Sequence, residues 1–310
     1  MKKFVRHLVY TVFFIGIVSC SSTVTTGEGT GLLWQISGNG LKNPSYLFGT
    51  HHLVLKQFLD SVPGFYPAFN SVSQLISEVG AELSPEMMNS FPDMMMPVDT
   101  TYRDLLGDED LRILDSVLLK YFKVTSGQMS MKPSILSYSI MMMYYFEDRD
   151  IPKDILQNGL DGHLTNEALS KGYPVVALES ADSQYQLLFK GSLTEQALEL
   201  MCTLKYPALM EAQVELEPAY HRQDLDKLWK IYQDQLAEIE KIDIACQPTP
   251  EEKEEDALVK GRNLKWMEKI PGLITEQPSI IVVGALHLPG EYGLIHQLRE
   301  KGYTVRVVKK

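Results

Sequence analysis

The sequence has few cysteines, little positive charge and only one long apolar run. Three cysteines in 310 residues exclude a disulfide-rich secreted scaffold. Asp and Glu outnumber Lys and Arg by 40 to 29, and the formal net charge is −11. This balance disfavours binding to nucleic acid or to anionic lipid, because both need clustered Lys and Arg. The HExxH, CxxC, phosphate-loop and serine-elbow motifs are absent too, which disfavours the enzyme classes that depend on them.

The long apolar run lies at the N-terminus and is typical of an export signal. Basic residues precede Leu8–Val18, a run too short for a comfortable membrane span. Cys20 follows small and aliphatic residues, as in the lipobox of bacterial lipoproteins. We therefore predict a signal peptide over 1–19, a lipidated Cys20 and a flexible tether over 20–31. These features predict an envelope protein that is anchored in the membrane through Cys20 and faces the periplasm. An ordinary secretory signal with an incidental cysteine is the alternative.

The two remaining cysteines have no predicted catalytic role. Cys202 and Cys246 lie on separate predicted helices. Outside the cytoplasm they can pair, but spacing alone does not decide whether they do. A disulfide between them therefore stays open at this point.

Apolar strands near both ends of the chain and helices between them predict an α/β fold. The predicted strands cover residues 32–36, 45–48, 75–79, 174–178, 279–283 and 304–308. The predicted helices cover residues 63–72, 158–171, 254–270 and 291–301, with further helical stretches over 84–150 and 192–246. We predict a central mixed sheet flanked by helices, in one domain over 32–310 with a large helical insertion at about 84–250.

The insertion is rich in methionine. Pro92 and Pro97 bracket the triple Met at 94–96, which suggests a mobile loop. Methionine clusters outside the cytoplasm can bind copper. The simpler interpretation is that these residues are adaptable apolar fillers between packed helices.

Two strand ends carry the same Gly-x-x-His motif. Tyr46–Leu53 reads YLFGTHHL and Ile281–Leu288 reads IVVGALHL. Glycine lets the chain leave a strand by a conformation that other residues resist, and sites in α/β sheets gather at the carboxyl ends of strands. We expect His52 and His287 to face one another from neighbouring strands, where imidazole binds a metal or takes a proton. His51 is secondary, because its side chain should point elsewhere.

Four further residues have the character of site residues. Glu78 and Glu179 each end an apolar run, where a charge needs a partner or a function. Each can be a metal ligand, a general base, a support for histidine or a rim salt bridge. Arg262 and Asn263 lie on or beside the apolar face of their predicted helix. An inward guanidinium requires a carboxylate or a substrate anion, so Arg262 either pairs with Glu78 or Glu179 or stabilises an oxyanion.

Together these motifs resemble the TraB/PrgY/GumN family, which is related to the Tiki proteases. The matching segments are Leu32–Trp34, Tyr46–His52, Gly159–Asp161, Leu178–Ser180 with Gln184, Ala219–Tyr220 near Asp224–Leu225, Arg262–Asn263, Val283–Gly290, Gly293–Leu294 and Gly302–Tyr303. The resemblance covers nearly all of the chain after the tether. It implies an erythromycin esterase/ChaN-like fold. It also implies an active centre of His52, His287 and Glu78, with Arg262 and Asn263 in support and Glu179 nearby.

The resemblance favours a metal-dependent peptide hydrolase at the membrane surface. In this hypothesis His52, His287 and Glu78 hold a Mn, Co or Zn ion whose water attacks a peptide or protein substrate, and Arg262 stabilises the oxyanion. Two alternatives stay open. One is a metal-free hydrolase in which His52 or His287 activates water directly. The other is a non-catalytic lipoprotein that sequesters a peptide.

Overall fold

The computed structural model describes residues 31–80, 94–147, 159–189, 191–247 and 258–309. The strands are β1 (Leu33–Ser37), β2 (Ser45–Thr50), β3 (Gln74–Ser77), β4 (Val175–Ala177), β5 (Ser279–Gly284) and β6 (Thr304–Val307). The α-helices are α1 (Phe65–Ser71), α2 (Tyr102–Leu105), α3 (Asp108–Tyr121), α4 (Pro133–Phe146), α5 (Leu160–Ser170), α6 (Ala181–Phe189), α7 (Leu193–Lys205), α8 (Ala208–His221), α9 (Leu225–Ile239), α10 (Lys260–Glu276) and α11 (Leu294–Glu300). Short 3-10 helices cover Lys56–Ser61, Ile244–Cys246 and Ala285–His287.

The six strands form one mixed sheet in the order β4-β3-β5-β2-β1-β6. Strands β4, β3, β5 and β2 are parallel, whereas β1 is antiparallel to both β2 and β6. The prediction of a mixed sheet flanked by helices is confirmed. The strands that carry the two Gly-x-x-His motifs are direct neighbours, with Gly49 opposite Val283. Since four neighbouring strands run the same way, their carboxyl ends lie along one edge of the sheet.

The central strands are apolar because helices cover the sheet. Every residue of β2, β3 and β5 is buried, as expected for parallel strands that are packed on both faces. The main core joins both ends of the chain and contains Trp34, Phe48, Ile281 and Trp266. The sheet is thus complete only when the first and last segments of the domain pair with each other.

The helices between β3 and β5 have a second core of their own. Met96, Tyr102, Leu114 and Leu136 are among its buried members. Met95 forms an isolated antiparallel bridge with Met131. Within the triple Met, Met96 packs into this core, whereas Met95 is 42 % exposed, and the mobile loop stays a prediction. Pro92 lies outside the described residues.

Several element boundaries differ from the prediction. Helix α10 continues through Pro271 to Glu276, so the predicted end at Ile270 is wrong. Ile270 and Ile274 are both buried, and this continued apolar face outweighs the backbone hydrogen bond that proline cannot donate. The segment after β5, predicted as a loop, contains the 3-10 helix Ala285–His287. The predicted helical stretch over 192–246 is divided into α7, α8 and α9.

Cys202 and Cys246 form a disulfide. The bond joins α7 to the 3-10 helix Ile244–Cys246 and packs with Leu209 and Ile239 in a small buried cluster. The spacing left open whether these cysteines pair, and the fold brings their Cα atoms to 5.7 Å, a distance that a disulfide spans.

Among the described residues, no helix is long and apolar enough to cross a bilayer. The predicted signal peptide, Cys20 and most of the tether lie outside these residues.

Candidate active site

Four predicted site residues lie at the carboxyl edge of the parallel strands. His52 is the second residue after β2, and Glu78 comes directly after β3. Glu179 follows β4, and His287 ends the 3-10 helix after β5. Their separation in sequence is therefore unrelated to their separation in space. This edge is where sites form in open α/β sheets.

Gly49, the glycine of the first Gly-x-x-His motif, allows two strand ends to pack closely. A Cβ atom on Gly49 would lie 2.9 Å from the Cα atom of Ala285, which is closer than side chains tolerate. Gly49 is not among the residues with positive φ, and Gly284 has an ordinary φ of −53°. The expected unusual backbone conformation is therefore wrong. For Gly49, the reason for glycine is instead the close approach of the β2 and β5 strand ends.

Arg262 is the centre of a buried ionic cluster. Its Nη2 atom donates to Oε2 of Glu78, and its Nε atom donates to Oε1 of Glu179 at 3.1 Å. Its Nη1 atom lies 3.1 Å from Nε2 of His287 and 3.5 Å from the carbonyl oxygen of Leu258. Exposure of the Arg262, Glu78 and Glu179 side chains is only 12, 9 and 14 %. Both predicted carboxylates thus pair with the same arginine, and each of its three nitrogens already contacts a protein acceptor.

Glu78 is held in its ionised form. Burial raises the pKa of its carboxyl group, but the Arg262 charge, assisted by His52, outweighs burial and holds the pKa well below the usual range. Its Oε1 atom also accepts a hydrogen bond from the backbone N–H of Gly284 at 2.7 Å. Gln184 of α6 donates to Glu78 at 3.3 Å and to Glu179 at 3.4 Å. The two carboxylates are therefore linked by a guanidinium and by an amide.

His287 is neutral, and its tautomer is fixed by Asn263. The amide nitrogen of Asn263 donates to the carbonyl oxygens of His287 and Tyr292, which leaves its oxygen to accept from His287 Nδ1 at 2.7 Å. The network thereby assigns the proton to Nδ1 and the lone pair to Nε2, which faces Arg262. Burial and the adjacent Arg262 charge lower the pKa of His287 to about 3. The ring packs against Trp266, with centroids 4.5 Å apart.

His52 forms a hydrogen-bonded couple with Asp161. Its Nδ1 atom lies 2.8 Å from Oδ2 of Asp161, and Thr50 donates to Oδ1 of the same carboxylate at 2.6 Å. Burial lowers the pKa of His52, but the Asp161 charge and hydrogen bond, assisted by Glu78, outweigh it and raise the pKa to about 9. The His52 side chain is 40 % exposed, so solvent reaches it more readily than the ionic cluster.

Asp161 is a candidate residue to which the sequence analysis gave no role. It appeared only within the Gly159–Asp161 segment of the family resemblance. Asp161 lies in the first turn of α5, and the backbone N–H of Leu160 donates to the carbonyl oxygen of Val54 at 3.0 Å. This contact brings the start of α5 beside the β2 end. An acidic residue in a first helical turn has a common structural explanation, so the sequence carried no signal for its partner.

The described geometry does not fit a metal held jointly by His52, His287 and Glu78. The Nε2 atom of His287 and the Oε2 atom of Glu78 both face the Arg262 guanidinium, a cation that would repel a divalent ion in the same place. Nδ1 of His287 is taken by Asn263. Within the described ranges, no group of three His, Cys, Asp or Glu side chains has a metal-binding arrangement. A shared ion therefore requires Arg262 to move.

Comparison with known proteins gives the family. The sequence model of the TraB/PrgY/gumN family matches residues 32–307. The chain belongs to this family. The match begins just before β1 and ends with β6, so the family domain includes the whole sheet and both Gly-x-x-His motifs. The resemblance drawn from the end motifs is confirmed. No curated protein and no solved structure shows significant similarity to the chain.

Proposed function

We propose that this TraB/PrgY/gumN family member is a peptide hydrolase in which the His52–Asp161 couple activates water. The observation that carries the proposal is the 2.8 Å contact between Nδ1 of His52 and Oδ2 of Asp161 at the carboxyl edge of the sheet. An imidazole held by a carboxylate is the arrangement that hydrolases use for a general base. The family relationship to peptide-cleaving proteins supports the choice of peptide as substrate.

His52 Nε2 takes the proton in the proposed reaction. Water attacks the carbonyl carbon of the scissile bond as its proton passes to Nε2, the nitrogen opposite the Asp161 contact. The C–N bond then breaks, and the same proton goes to the leaving amine. Asp161 stabilises the imidazolium between these steps, and Thr50 fixes the Asp161 carboxylate through its 2.6 Å hydrogen bond. His52 and Asp161 are regenerated in their starting forms.

Arg262 has a positioning role in this proposal. Its three nitrogens contact Glu78, Glu179, His287 and the Leu258 carbonyl oxygen, so the described geometry leaves it poorly placed to bind an oxyanion. It instead holds two carboxylates together at the strand ends. The charge of Glu78 raises the basicity of His52 across this edge. Within the ionic cluster, Glu78 thus supports the base electrostatically, whereas the Arg262 charge opposes it.

The metal-dependent mechanism predicted from the sequence is the second candidate. The chemistry of two imidazoles and a carboxylate suits Mn, Co or Zn, and such an ion would supply an activated water. It requires Arg262 to leave Glu78 and His287, because the guanidinium lies between their donor atoms. The metal-free mechanism uses the geometry as it stands and is therefore the one that the structure supports better.

Peptide-library digestion tests the function. The mature chain is incubated with the library after exhaustive chelation, and separately with added Mn, Co or Zn ions. His52→Ala and Asp161→Asn are compared with His221→Ala, a matched control because His221 also faces a carboxylate, Glu217 Oε1 at 3.6 Å, and is half exposed.

Cleavage that survives chelation, is lost in His52→Ala, is reduced in Asp161→Asn and persists in His221→Ala supports the proposal. Cleavage only with added ions restores the metal-dependent mechanism. Peptide binding without turnover under every condition overturns hydrolysis and favours the sequestering alternative.

We also propose that the domain works at the cell envelope, held by a lipid on Cys20. The support is the N-terminal pattern of basic residues, a short apolar run and a cysteine after small residues. The tether over 20–31 would give the domain reach from the membrane surface. A peptide substrate outside the cytoplasm is consistent with this placement and with the disulfide between Cys202 and Cys246.

A further inference from the structure

Trp266 contacts both Arg262 and His287. It lies one turn after Arg262 on α10 and is only 1 % exposed. The guanidinium carbon of Arg262 lies 4.6 Å from the centroid of its ring, and the His287 ring lies 4.5 Å away at a 45° tilt. One indole therefore packs against the arginine and the histidine at once. The sequence analysis gave it no site role.

Packing alone does not account for a tryptophan at this position. The Nε1 atom of Trp266 is buried and has no hydrogen-bond partner among the residues that the structure describes. A buried donor without a partner costs stability, and phenylalanine would fill much of the same space without that cost. What tryptophan adds is the ring face that binds a cation most strongly. The cation in contact with that face is Arg262.

Arg262 can contact Glu78, Glu179 and His287 together only if the plane of its guanidinium group is fixed. Its long stem has many rotamers, and its planar fork reaches Glu78, Glu179 and His287 together in only a narrow range of them. Packing of the guanidinium against the face of Trp266 excludes most of the other Arg262 rotamers. The start of α10 is set separately, since the backbone N–H of Asn263 bonds to the carbonyl oxygen of Val259 at 2.9 Å.

We propose that Trp266 is a positioning residue whose ring holds the Arg262 guanidinium in the plane in which it joins Glu78, Glu179 and His287. Its effect on turnover rests on the proposed function, because that effect requires a reaction at this edge. Its effect on Arg262 does not. The two are therefore tested by separate measurements on the full mature chain.

The test compares Trp266→Leu and Trp266→Phe with Trp34→Leu. Trp34 is a matched control because it is also fully buried and also lies under an arginine, with Arg299 Cζ 5.9 Å from its ring, in β1 and away from the site. The first measurement is the Nε–H signal of Arg262 in a nitrogen-15 NMR spectrum, assigned with Arg262→Lys. The second is the separation of kcat from KM on a cleaved peptide. Thermal unfolding shows that each variant is folded.

We expect Trp266→Leu to lose the slowly exchanging Arg262 signal and to lower kcat on the order of tenfold or more, with KM little changed. Trp266→Phe keeps the signal and most of kcat, because an aromatic face remains. Trp34→Leu keeps both at a comparable loss of thermal stability. A folded Trp266→Leu with an unchanged Arg262 signal overturns the proposal, and so does an equal loss in Trp34→Leu. If the parent chain cleaves nothing, the proposed function fails and the NMR measurement still decides the role of Trp266.

Discussion

His52 and Asp161 form a hydrogen-bonded couple, with 2.8 Å between Nδ1 and Oδ2, although 109 residues separate them in the chain. The couple exists because the start of α5 pairs with the segment after β2, through the Leu55–Gly159 bridge and the Leu160–Val54 hydrogen bond. The ionic cluster of Arg262, Glu78 and Glu179 lies at the same edge of the sheet, with Glu78 two strands away from His52. The site therefore contains one accessible imidazole with a carboxylate partner and one buried, neutral imidazole.

The couple sets the pH dependence of hydrolysis. His52 has a pKa of about 9, because Asp161 and Glu78 outweigh burial and the Arg262 charge. A base must be deprotonated, so kcat/KM is expected to rise with pH through a limb near 9. Asp161→Asn removes the nearest negative charge, and the limb moves toward the ordinary histidine value near 6.5 while the maximal rate falls. A pH–rate profile measures both. A rate that instead falls through pH 9 identifies the imidazolium as the active form and contradicts the general-base role.

The same pKa shift links His52 to stability. The folded protein binds this proton more tightly than the unfolded chain, because the pKa is about 9 in the fold and 6.5 for an ordinary histidine. The stabilisation is therefore fully present below pH 6.5 and is lost as the pH rises through 9. Urea unfolding across this window measures it, with Asp161→Asn expected to show a flatter profile. Equal slopes for the two chains would rule out the coupling.

Glu78→Gln tests the buried cluster. The variant can still accept the hydrogen bond from the Gly284 N–H, but it removes one of the two carboxylates that pair with Arg262. We expect a loss of about 2 kcal/mol in the free energy of unfolding at pH 7, because Arg262 loses one charge-assisted hydrogen bond and keeps its pair with Glu179. Asp234→Asn is the control: it breaks the exposed Lys230–Asp234 pair, which contributes less than about 1 kcal/mol. Similar losses of unfolding free energy in the two variants would show that the Glu78–Arg262 pair stabilises the fold no more than an exposed ion pair does.

Reduction of the disulfide should weaken the fold. The Cys202–Cys246 bond closes a loop with a sequence separation of 44 residues, and constraint of the unfolded chain over that length stabilises the fold by about 4 kcal/mol. Urea unfolding with and without reductant measures the difference. A Cys202→Ala/Cys246→Ala double variant serves as the control, since reductant cannot act on a bond that it lacks. An oxidised chain as sensitive to urea as the double variant would exclude a stabilising role.

Cys20→Ser tests the anchor. We expect the parent chain expressed in bacteria to incorporate labelled fatty acid and to partition into detergent, and the variant to do neither, because the lipid is attached through the cysteine sulfur. Detergent-phase separation and fatty-acid labelling measure the two properties. A Cys202→Ser variant controls for loss of a cysteine elsewhere. Membrane association that survives Cys20→Ser would point to an ordinary cleaved signal and another mode of attachment.

Much of the site was visible in the sequence because it follows strand ends. Glu78 and Glu179 each come after an apolar run, and His52 and His287 each come after Gly-x-x. Neighbouring parallel strands bring such positions to one edge, so the pattern alone predicted their convergence. Arg262 was predicted to need a carboxylate or a substrate anion, and it contacts both candidate carboxylates. The structure shows this convergence, whereas the catalytic roles themselves stay predictions.

What the pattern could not give is the partner of each polar group. Asp161 and Trp266 have ordinary local explanations, one as an acidic residue in a first helical turn and the other as an apolar residue on a helix face. Their importance comes from contacts across long separations in sequence. For the same reason, the spacing of Cys202 and Cys246 left the disulfide open.

By itself the sequence determined the α/β class, the family and the strand ends that carry His52, His287 and Glu78. Those properties depend on local periodicity and short motifs, which can be recognised in the sequence alone. Only the tertiary structure decided that Arg262 lies between Glu78 and His287, and that Asp161 holds His52. Electrostatic interactions between side chains depend on distance and burial in three dimensions, and a linear pattern contains neither.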